Sequence, residues 1–502
     1  MGDMEFVSIL ERKVPPNMNG GMPDFFVDFN LDQIIAQIQY QSVVPVEKYF
    51  SCLPMDREGE EYRRQIYVDV KKPEIYKCLV HFAAAVQERK QLAAKKNEVE
   101  HELQKAVWHV LELALYCDAY RGLYKELQQM PIASEGLLAL RELLKSYTGS
   151  EDFLAMHKRA VVLREQLQSF RVKLLYEHDH IVVIEENVSG AYEEFLHQTL
   201  GEHMQQMKSP FSQSLHLSNL ELEIIQKFIK KQPEFFKAAK ELYQEHREYE
   251  HEVLLRFGDE ISYYLSYYAF QQSMELRGFS FVTPTAEEHR DMCAQGLYDL
   301  ALACASLKTN KEVISNDMYY GKDEQFFVLT GPNQGGKTTF ARSLGQLIYF
   351  SKMGLDVPAT AANVHYFTGI LSHFSVEESV ETGRGKLMEE LLRLKPMMHE
   401  ECKHAFVVIN ELFTTAANYD ACIMGKKVLE HFIGQECRGI YVTHLKELTK
   451  AHETVVSMRA MLDEKKVQSF QIRRGEADDS ACAMNQVNKY RLGYEQLKER
   501  LK

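Results

Sequence analysis

A glycine-rich segment in the second half of the chain carries residue types that bind phosphate. Residues 331–338 read GPNQGGKT and fit the pattern G-x-x-x-x-G-K-S/T. Glycines let backbone N–H groups surround a polyphosphate, and the N-terminus of a following helix adds positive potential. Lys337 would reach the β- and γ-phosphates, and the Thr338 hydroxyl would hold Mg²⁺. The predicted nucleotide-binding residues are Gly331, Pro332, Asn333, Gln334, Gly335, Gly336, Lys337, Thr338 and Thr339.

The flanks of this segment supply the two elements that the pattern requires. The apolar run at residues 326–329 predicts a buried strand directly before the glycines. Phe340, Leu344 and Leu347 recur at helical spacing directly after them, so we expect a helix from about Lys337. Strand, loop and helix in this order are the context in which the pattern binds phosphate.

A second apolar run, residues 404–409, ends in Asn410 and Glu411. A P-loop ATPase needs acidic groups at the end of such a strand, one for Mg²⁺ and one to polarise the attacking water. Glu411 fits the second role. Asn410 stands where an aspartate is expected, and its amide oxygen can accept a hydrogen bond from a metal-bound water but brings no charge. We therefore predict a weak metal site formed by Thr338 and, through water, by Asn410.

A third apolar run, residues 439–442, ends in Thr443 and His444. A histidine at the end of a strand in such a domain can contact the γ-phosphate. Together with the acidic residue of the second run, it gives the predicted catalytic pair Glu411 and His444.

Composition limits the class of protein. The chain has 502 residues, with 45% hydrophobic and 26% charged residues, which is typical of a globular protein with more than one domain. Its formal net charge of −13 excludes a globally basic nucleic-acid binder, but a local basic groove stays possible. We expect no membrane span and no secretion signal. The nine cysteines include no C-x-x-C pair, which indicates a reducing cytoplasm and argues against a zinc site.

The pattern of apolar residues divides the chain into three regions. Residues 1–70 have no clear role. Residues 71–284 are mainly helical, with one further helix predicted to start at Ser218. Residues 285–502 alternate helices with strand-like runs, as in an α/β P-loop domain, and the predicted strands are residues 326–329, 405–409, 439–442 and 469–472.

Two features of the helical region have alternative interpretations. Charged residues such as Arg89, Lys90 and Lys96 fill one helix face, which favours a solvated face over a DNA-contacting one. The aromatic cluster Tyr263, Tyr264, Tyr267, Tyr268 and Phe270 favours a core position over stacking on bases.

The phosphate segment, GPNQGGKTT, resembles the GPNMGGKST loop of the MutS family of DNA mismatch-repair ATPases. The family's later motifs also occur here in the same order. These are Pro358-Ala359, Thr382-Gly383-Arg384, Asn410-Glu411, Tyr419-Asp420 and Thr443-His444. The resemblance is strong over about residues 315–450 and weak over the helical region.

This resemblance implies a fold and a function. It implies an ABC-like P-loop ATPase domain that binds ATP and Mg²⁺, preceded by helical levers that clamp DNA. It also implies a homodimer that forms through the ATPase domains, with a composite site, and that acts on duplex DNA in repair or recombination. No counterpart of the family's N-terminal mismatch-reading domain is found, so we expect a short form of the family.

Departures from the family pattern predict slow turnover. The family's aspartate is Asn410, and the serine that reaches the partner's nucleotide in the family falls on Ala417. Two alternatives therefore stay open. One is a nucleotide-gated interaction protein that acts on a non-DNA assembly such as the ribosome. The other is a switch that binds ATP but scarcely hydrolyses it.

Overall fold

The computed structural model describes most of the chain. The described residues are 6–13, 21–42, 44–170, 172–177, 180–185, 229–309, 311–374, 385–399, 402–462 and 468–476. The predicted helix start at Ser218 and the motif Thr382-Gly383-Arg384 lie outside them.

Helices make up most of the described residues. Their bounds are α1 Phe25–Asp28, α2 Leu31–Tyr40, α3 Glu47–Phe50, α4 Arg57–Val70, α5 Pro73–Glu98, α6 Glu102–Leu127, α7 Glu135–Thr148, α8 Glu151–Ser169, α9 Pro233–Glu245, α10 Glu252–Glu275, α11 Leu300–Thr309, α12 Lys337–Lys352, α13 Lys386–Met397 and α14 Asn418–Gly434. None of the helices in the described ranges is long and apolar enough to cross a membrane.

The strands concentrate in the second half of the chain. Their bounds are β1 Val172–Glu177, β2 His180–Glu185, β3 Met292–Leu297, β4 Asn316–Tyr320, β5 Phe326–Thr330, β6 Ala361–Asn363, β7 Ile370–Phe374, β8 Phe406–Asn410, β9 Arg438–Val442, β10 Val455–Leu462 and β11 Gln468–Arg474. The strands predicted at residues 326–329, 405–409, 439–442 and 469–472 are therefore confirmed.

The chain forms two compact units. Residues 72–133 and 137–261 make up most of the first, which is mainly helical, and residues 7–71 and 262–502 make up most of the second. The boundary predicted after residue 70 lies one residue from a limit of these units, whereas the helical unit ends at residue 261, before the boundary predicted after residue 284. The N-terminal segment, residues 7–71, belongs to the same unit as the α/β part of the chain.

Close packing on α12, the helix that follows the glycine-rich loop, holds the N-terminal segment. A Cβ atom added to Gly345 would lie 2.6 Å from the ring of Phe29, so only glycine lets the segment approach this closely. Lys352 donates to Glu60 at 2.6 Å, and both side chains are buried. Burial of both partners makes this ion pair sensitive to the loss of either one.

In the first unit, α5 and α6 pack against each other. Ala106, Val110 and Leu113 on α6 are fully buried, as their spacing predicts. The charges on α5 are paired inside the unit. Glu112 on α6 accepts hydrogen bonds from Arg89 at 3.3 Å and from Lys96 at 2.6 Å. These two cations therefore serve the packing of the helices, which is neither of the alternatives that the sequence left open.

The second unit contains a six-stranded sheet. The strand order is β11-β10-β5-β9-β8-β7, in which β10, β5, β9, β8 and β7 run parallel and β11 is antiparallel to β10. Every residue of β5 and β8 is buried. Continuous apolar runs of this kind are typical of parallel strands covered on both faces. A three-stranded antiparallel sheet, β4-β3-β6, belongs to the same unit.

The aromatic cluster at the end of α10 lies in the core of the second unit. Tyr263, Tyr264 and Tyr267 are fully buried. Their hydroxyls donate to the carbonyl oxygens of Met353, Ile9 and Asp356, at 2.6 to 3.0 Å. These rings cannot stack on bases, so the core interpretation of these three residues is confirmed.

Candidate functional site

The glycine-rich loop joins β5 to α12 in a conformation that requires glycine. Gly331 and Gly336 have φ angles of 134° and 86°, which L side chains rarely adopt. A Cβ atom on Gly331 would also lie 3.0 Å from that of Ala460, and one on Gly335 would lie 3.0 Å from the carbonyl oxygen of Pro332. One side of the loop therefore lies close to β10. Residues of the loop line a cavity.

Lys337 supplies a fixed positive charge at this loop. Its side chain is buried, and Nζ donates to the carbonyl oxygens of Gly331 and Pro332 at 2.9 Å each. Burial lowers the pKa of the Lys337 amine, and the nearby Glu411 carboxylate acts in the opposite direction. The glycine-rich loop thus fixes the position of the Lys337 ammonium group through these two hydrogen bonds.

Asn410, the last residue of β8, meets the first turn of α12. Its Oδ1 accepts a hydrogen bond of 3.2 Å from the Thr338 hydroxyl, and its side chain is buried. The structure therefore brings together the two residues that the sequence predicts at the metal. Hydroxyl and amide oxygens are ligands that suit Mg²⁺. The described residues contain no group of three His, Cys, Asp or Glu side chains that could hold a metal ion.

Glu411 and His444 lie at the ends of the neighbouring strands β8 and β9. His444 Nε2 donates to Glu411 Oε1 at 3.1 Å. This hydrogen bond is the largest influence on the Glu411 carboxyl and lowers its pKa, and the charges of Lys337 and Lys386 lower it further. Glu411 is therefore an anion at neutral pH, as a base that accepts a proton from water must be.

A cavity of about 560 Å³ lies in front of the loop. Cavities of this size hold small organic ligands. Its walls come from the loop, α12, α11, β4 and β11. The lining residues include Tyr298, Asp299, Leu302, Lys311, Glu312, Ile314, Asn316, Asn333, Gln334, Gly335, Gly336, Lys337, Thr338, Thr339, Ser343, Glu411 and Phe470.

Phe470 and Asn316 are among the cavity residues that sequence reasoning did not predict. Phe470 has a φ of 57° and leaves 45% of its surface exposed beside Gly336. Asn316 on β4 fixes it, because its amide donates to the Phe470 carbonyl and its Oδ1 accepts from the N–H of Ile472. The contact joins residues more than 150 positions apart, so no local pattern could have indicated it.

The loop between β8 and α14 presents an exposed edge. Ala417 is the N-cap of α14 and is exposed, and Tyr419 leaves 77% of its surface exposed. Ala417 has no side-chain oxygen or nitrogen, so its side chain cannot donate a hydrogen bond to a nucleotide.

The carboxyl ends of β5, β9 and β8 meet at one edge of the parallel sheet, and they carry the loop, His444 and Glu411 respectively. Ligands of open α/β sheets bind at this edge. Fold and site together describe an α/β sheet domain whose glycine-rich loop, His444 and Glu411 lie at one edge of the sheet.

Comparison with known proteins places this domain in a family. Residues 327–489 match the model of MutS domain V. DNA mismatch repair protein spellchecker 1 of Drosophila melanogaster is 27% identical over 183 residues, which is 35% of this chain and 20% of that protein. DNA mismatch repair protein MutS 1 of Haloarcula marismortui is 28% identical over 156 residues, 30% of this chain and 17% of that protein.

The MutS protein of Rickettsia typhi is 28% identical over 146 residues, 29% of this chain and 16% of that protein. The chain thus spans 16 to 20% of the length of these three relatives. The predicted resemblance to the MutS family is therefore confirmed over residues 327–489, which match domain V.

Proposed function

We propose that the chain binds ATP with Mg²⁺ in the cavity in front of the glycine-rich loop and hydrolyses it slowly. One observation carries the proposal. The ends of β5 and β8 bring a buried lysine, a hydroxyl–amide pair and an anionic carboxylate together beside one cavity of nucleotide size, and His444 at the end of β9 contacts the carboxylate. This is the set of groups that phosphoryl transfer from a nucleotide to water requires.

Each group has a separate role in the proposed reaction. The loop N–H groups and Lys337 bind the β- and γ-phosphates. Mg²⁺, when bound, neutralises charge that develops on the phosphates. Thr338 would hold the ion, and Asn410 would orient one of its waters. Glu411 accepts the proton of the attacking water, and His444 keeps the Glu411 carboxylate in place on the γ-phosphate side.

The slow hydrolysis that we propose follows from the charges at the metal site. Asn410 offers an oxygen but no charge, so the site has one carboxylate where two are expected. Loss of such an outer-shell interaction typically lowers metal affinity or activity by about 10- to 100-fold. ATP binding depends mainly on the loop and Lys337, so binding persists while turnover is slow.

The wider activity rests on the relatives, which are named as DNA mismatch repair proteins. We propose that ATP controls a clamp on duplex DNA, formed by a homodimer that associates through the α/β domain. Large apolar side chains exposed on α13 and α14 support the association, because burying them between two copies is favourable. They are Met388, Leu391, Leu392, Tyr419 and Ile423.

A second candidate is a nucleotide-gated protein that acts on a non-DNA assembly. The internal pairing of Arg89 and Lys96 favours it, since cations that bind Glu112 are not free for phosphates. The net charge of −13 also favours this second candidate.

DNA binding measured against salt, with and without ATP, separates the two candidates. Phosphate contacts release counterions, so a clamp on DNA weakens steeply as salt rises. The DNA proposal predicts binding to a plain duplex that changes with ATP. It is wrong if plain, mismatched and branched duplexes all fail to bind at low salt in both nucleotide states.

A further inference from the structure

A buried carboxylate on α13 holds the loop that carries Glu411. Glu390 has 1% of its surface exposed, and its Oε2 accepts a hydrogen bond of 3.0 Å from the backbone N–H of Phe413. Its other oxygen, Oε1, is buried and has no hydrogen-bond partner among the described residues. The hydrogen bond from the Phe413 N–H is therefore the contact that indicates what the Glu390 carboxylate does.

The turn that Glu390 holds is strained at two positions. Glu411 and Phe413 have φ angles of 55° and 63°, in the left-handed region that non-glycine residues seldom occupy. Such a conformation is unfavourable for a non-glycine residue and persists only where its surroundings fix it. The Glu411 N–H donates to the carbonyl of Val442 on β9 at 2.9 Å. β9 therefore fixes one end of the turn, and Glu390 fixes the other.

The chemistry of Glu390 differs from that of its neighbours. Leu394 and Met397 on the same helix are buried apolar residues of the local core. Burial raises the pKa of Glu390, which shows that its charge is unfavourable there, while the Phe413 N–H and Lys386 act in the opposite direction. A residue that only filled space would be apolar. Without the carboxylate, the buried Phe413 N–H would lack this acceptor, which is unfavourable for a buried donor.

We infer that Glu390 is a positioning residue for the hydrolysis step, which places the Glu411 carboxylate by holding the strained turn through the Phe413 N–H. The inference rests on the proposed role of Glu411. It deepens that role, because it connects the catalytic loop to α13, whose residues are not among those that line the cavity.

The kinetic test compares two substitutions of Glu390 with a control. Glu390→Ala removes the acceptor and should lower kcat by about 100-fold, the effect expected from displacing a reacting group by about 1 Å. The affinity for ATP should stay at the parent value, because the glycine-rich loop is untouched. Glu390→Gln keeps an oxygen that accepts from Phe413 and should restore most of kcat. Glu430→Ala, at an exposed position on α14, should behave like the parent.

Hydrogen exchange tests the same inference without any need for hydrolysis. The amides of residues 411–413 should exchange faster in Glu390→Ala than in the parent, and at the parent rate in Glu390→Gln. If the parent does not hydrolyse ATP, the proposed function fails, and the exchange measurement still decides the role of Glu390.

Two results would overturn the inference. One is a Glu390→Ala protein with the kcat and exchange rates of the parent. The other is a folded Glu390→Gln protein as impaired as Glu390→Ala, which would mean that the charge matters and the acceptor does not. If Glu390→Ala does not fold, Glu390→Met replaces it, because methionine preserves volume and cannot accept the bond. Parent-like turnover in Glu390→Met would also contradict the inference.

Discussion

Asn410→Asp should tighten Mg²⁺ binding and raise turnover. In the structure the Asn410 Oδ1 lies 3.2 Å from the Thr338 hydroxyl and is buried, so a carboxylate would replace it with the same shape. The added charge would act on the ion through one water. An outer-shell charge of this kind is worth about 10- to 100-fold in metal affinity or activity, or roughly 1.4–2.7 kcal/mol.

The assay is steady-state ATPase activity against Mg²⁺ concentration for the parent and Asn410→Asp. The half-saturating Mg²⁺ concentration should fall in the variant, and the plateau rate should rise. Asn97→Asp, which adds the same charge at an exposed position on α5, serves as the control and should follow the parent curve. A metal curve that does not move in Asn410→Asp would show that Asn410 is not at the metal.

Three further predictions follow from the same geometry. Glu411→Gln should abolish turnover and still bind ATP. Single-turnover kinetics and a nucleotide-binding assay measure the two effects, and full activity would show that another residue is the base. His444→Asn removes the largest influence that lowers the pKa of Glu411, so the acid limb of the rate–pH profile should move to higher pH; an unmoved limb would contradict the pairing. Gly345→Ala should lower the free energy of unfolding by about 1 kcal/mol, since contact with Phe29 outweighs the gain in helix propensity. Thermal unfolding measures this, with Gly434→Ala, which meets nothing within 4 Å, as the control.

Local patterns predicted the centre of the fold well. The runs before Gly331, Asn410 and Thr443 are short, apolar and followed by polar residues, and parallel strands buried on both faces require that pattern. The order of the motifs supported the resemblance, and the structure then showed that these strand ends meet at one edge of the sheet.

Contacts between distant parts of the chain could not be predicted in the same way. Phe470 reaches the cavity because Asn316 holds β11 beside β4. In the sequence, Glu390 is one acidic residue among several on an amphipathic helix. Its role as an acceptor for the Phe413 N–H is visible only in the structure. The sequence of the N-terminal segment did not indicate that it packs on α12. The close approach of Phe29 to this helix depends on the absence of a side chain at Gly345.

The affinity of the full chain for ATP in the presence of Mg²⁺ tests the central claim most directly. The parent should bind ATP, and Lys337→Ala should weaken binding by about 100-fold, or roughly 2.7 kcal/mol. Lys395→Ala, at an exposed position on α13, should bind like the parent. Equal ATP affinity in the parent and in a folded Lys337→Ala protein would contradict the assignment of the glycine-rich loop as a phosphate site.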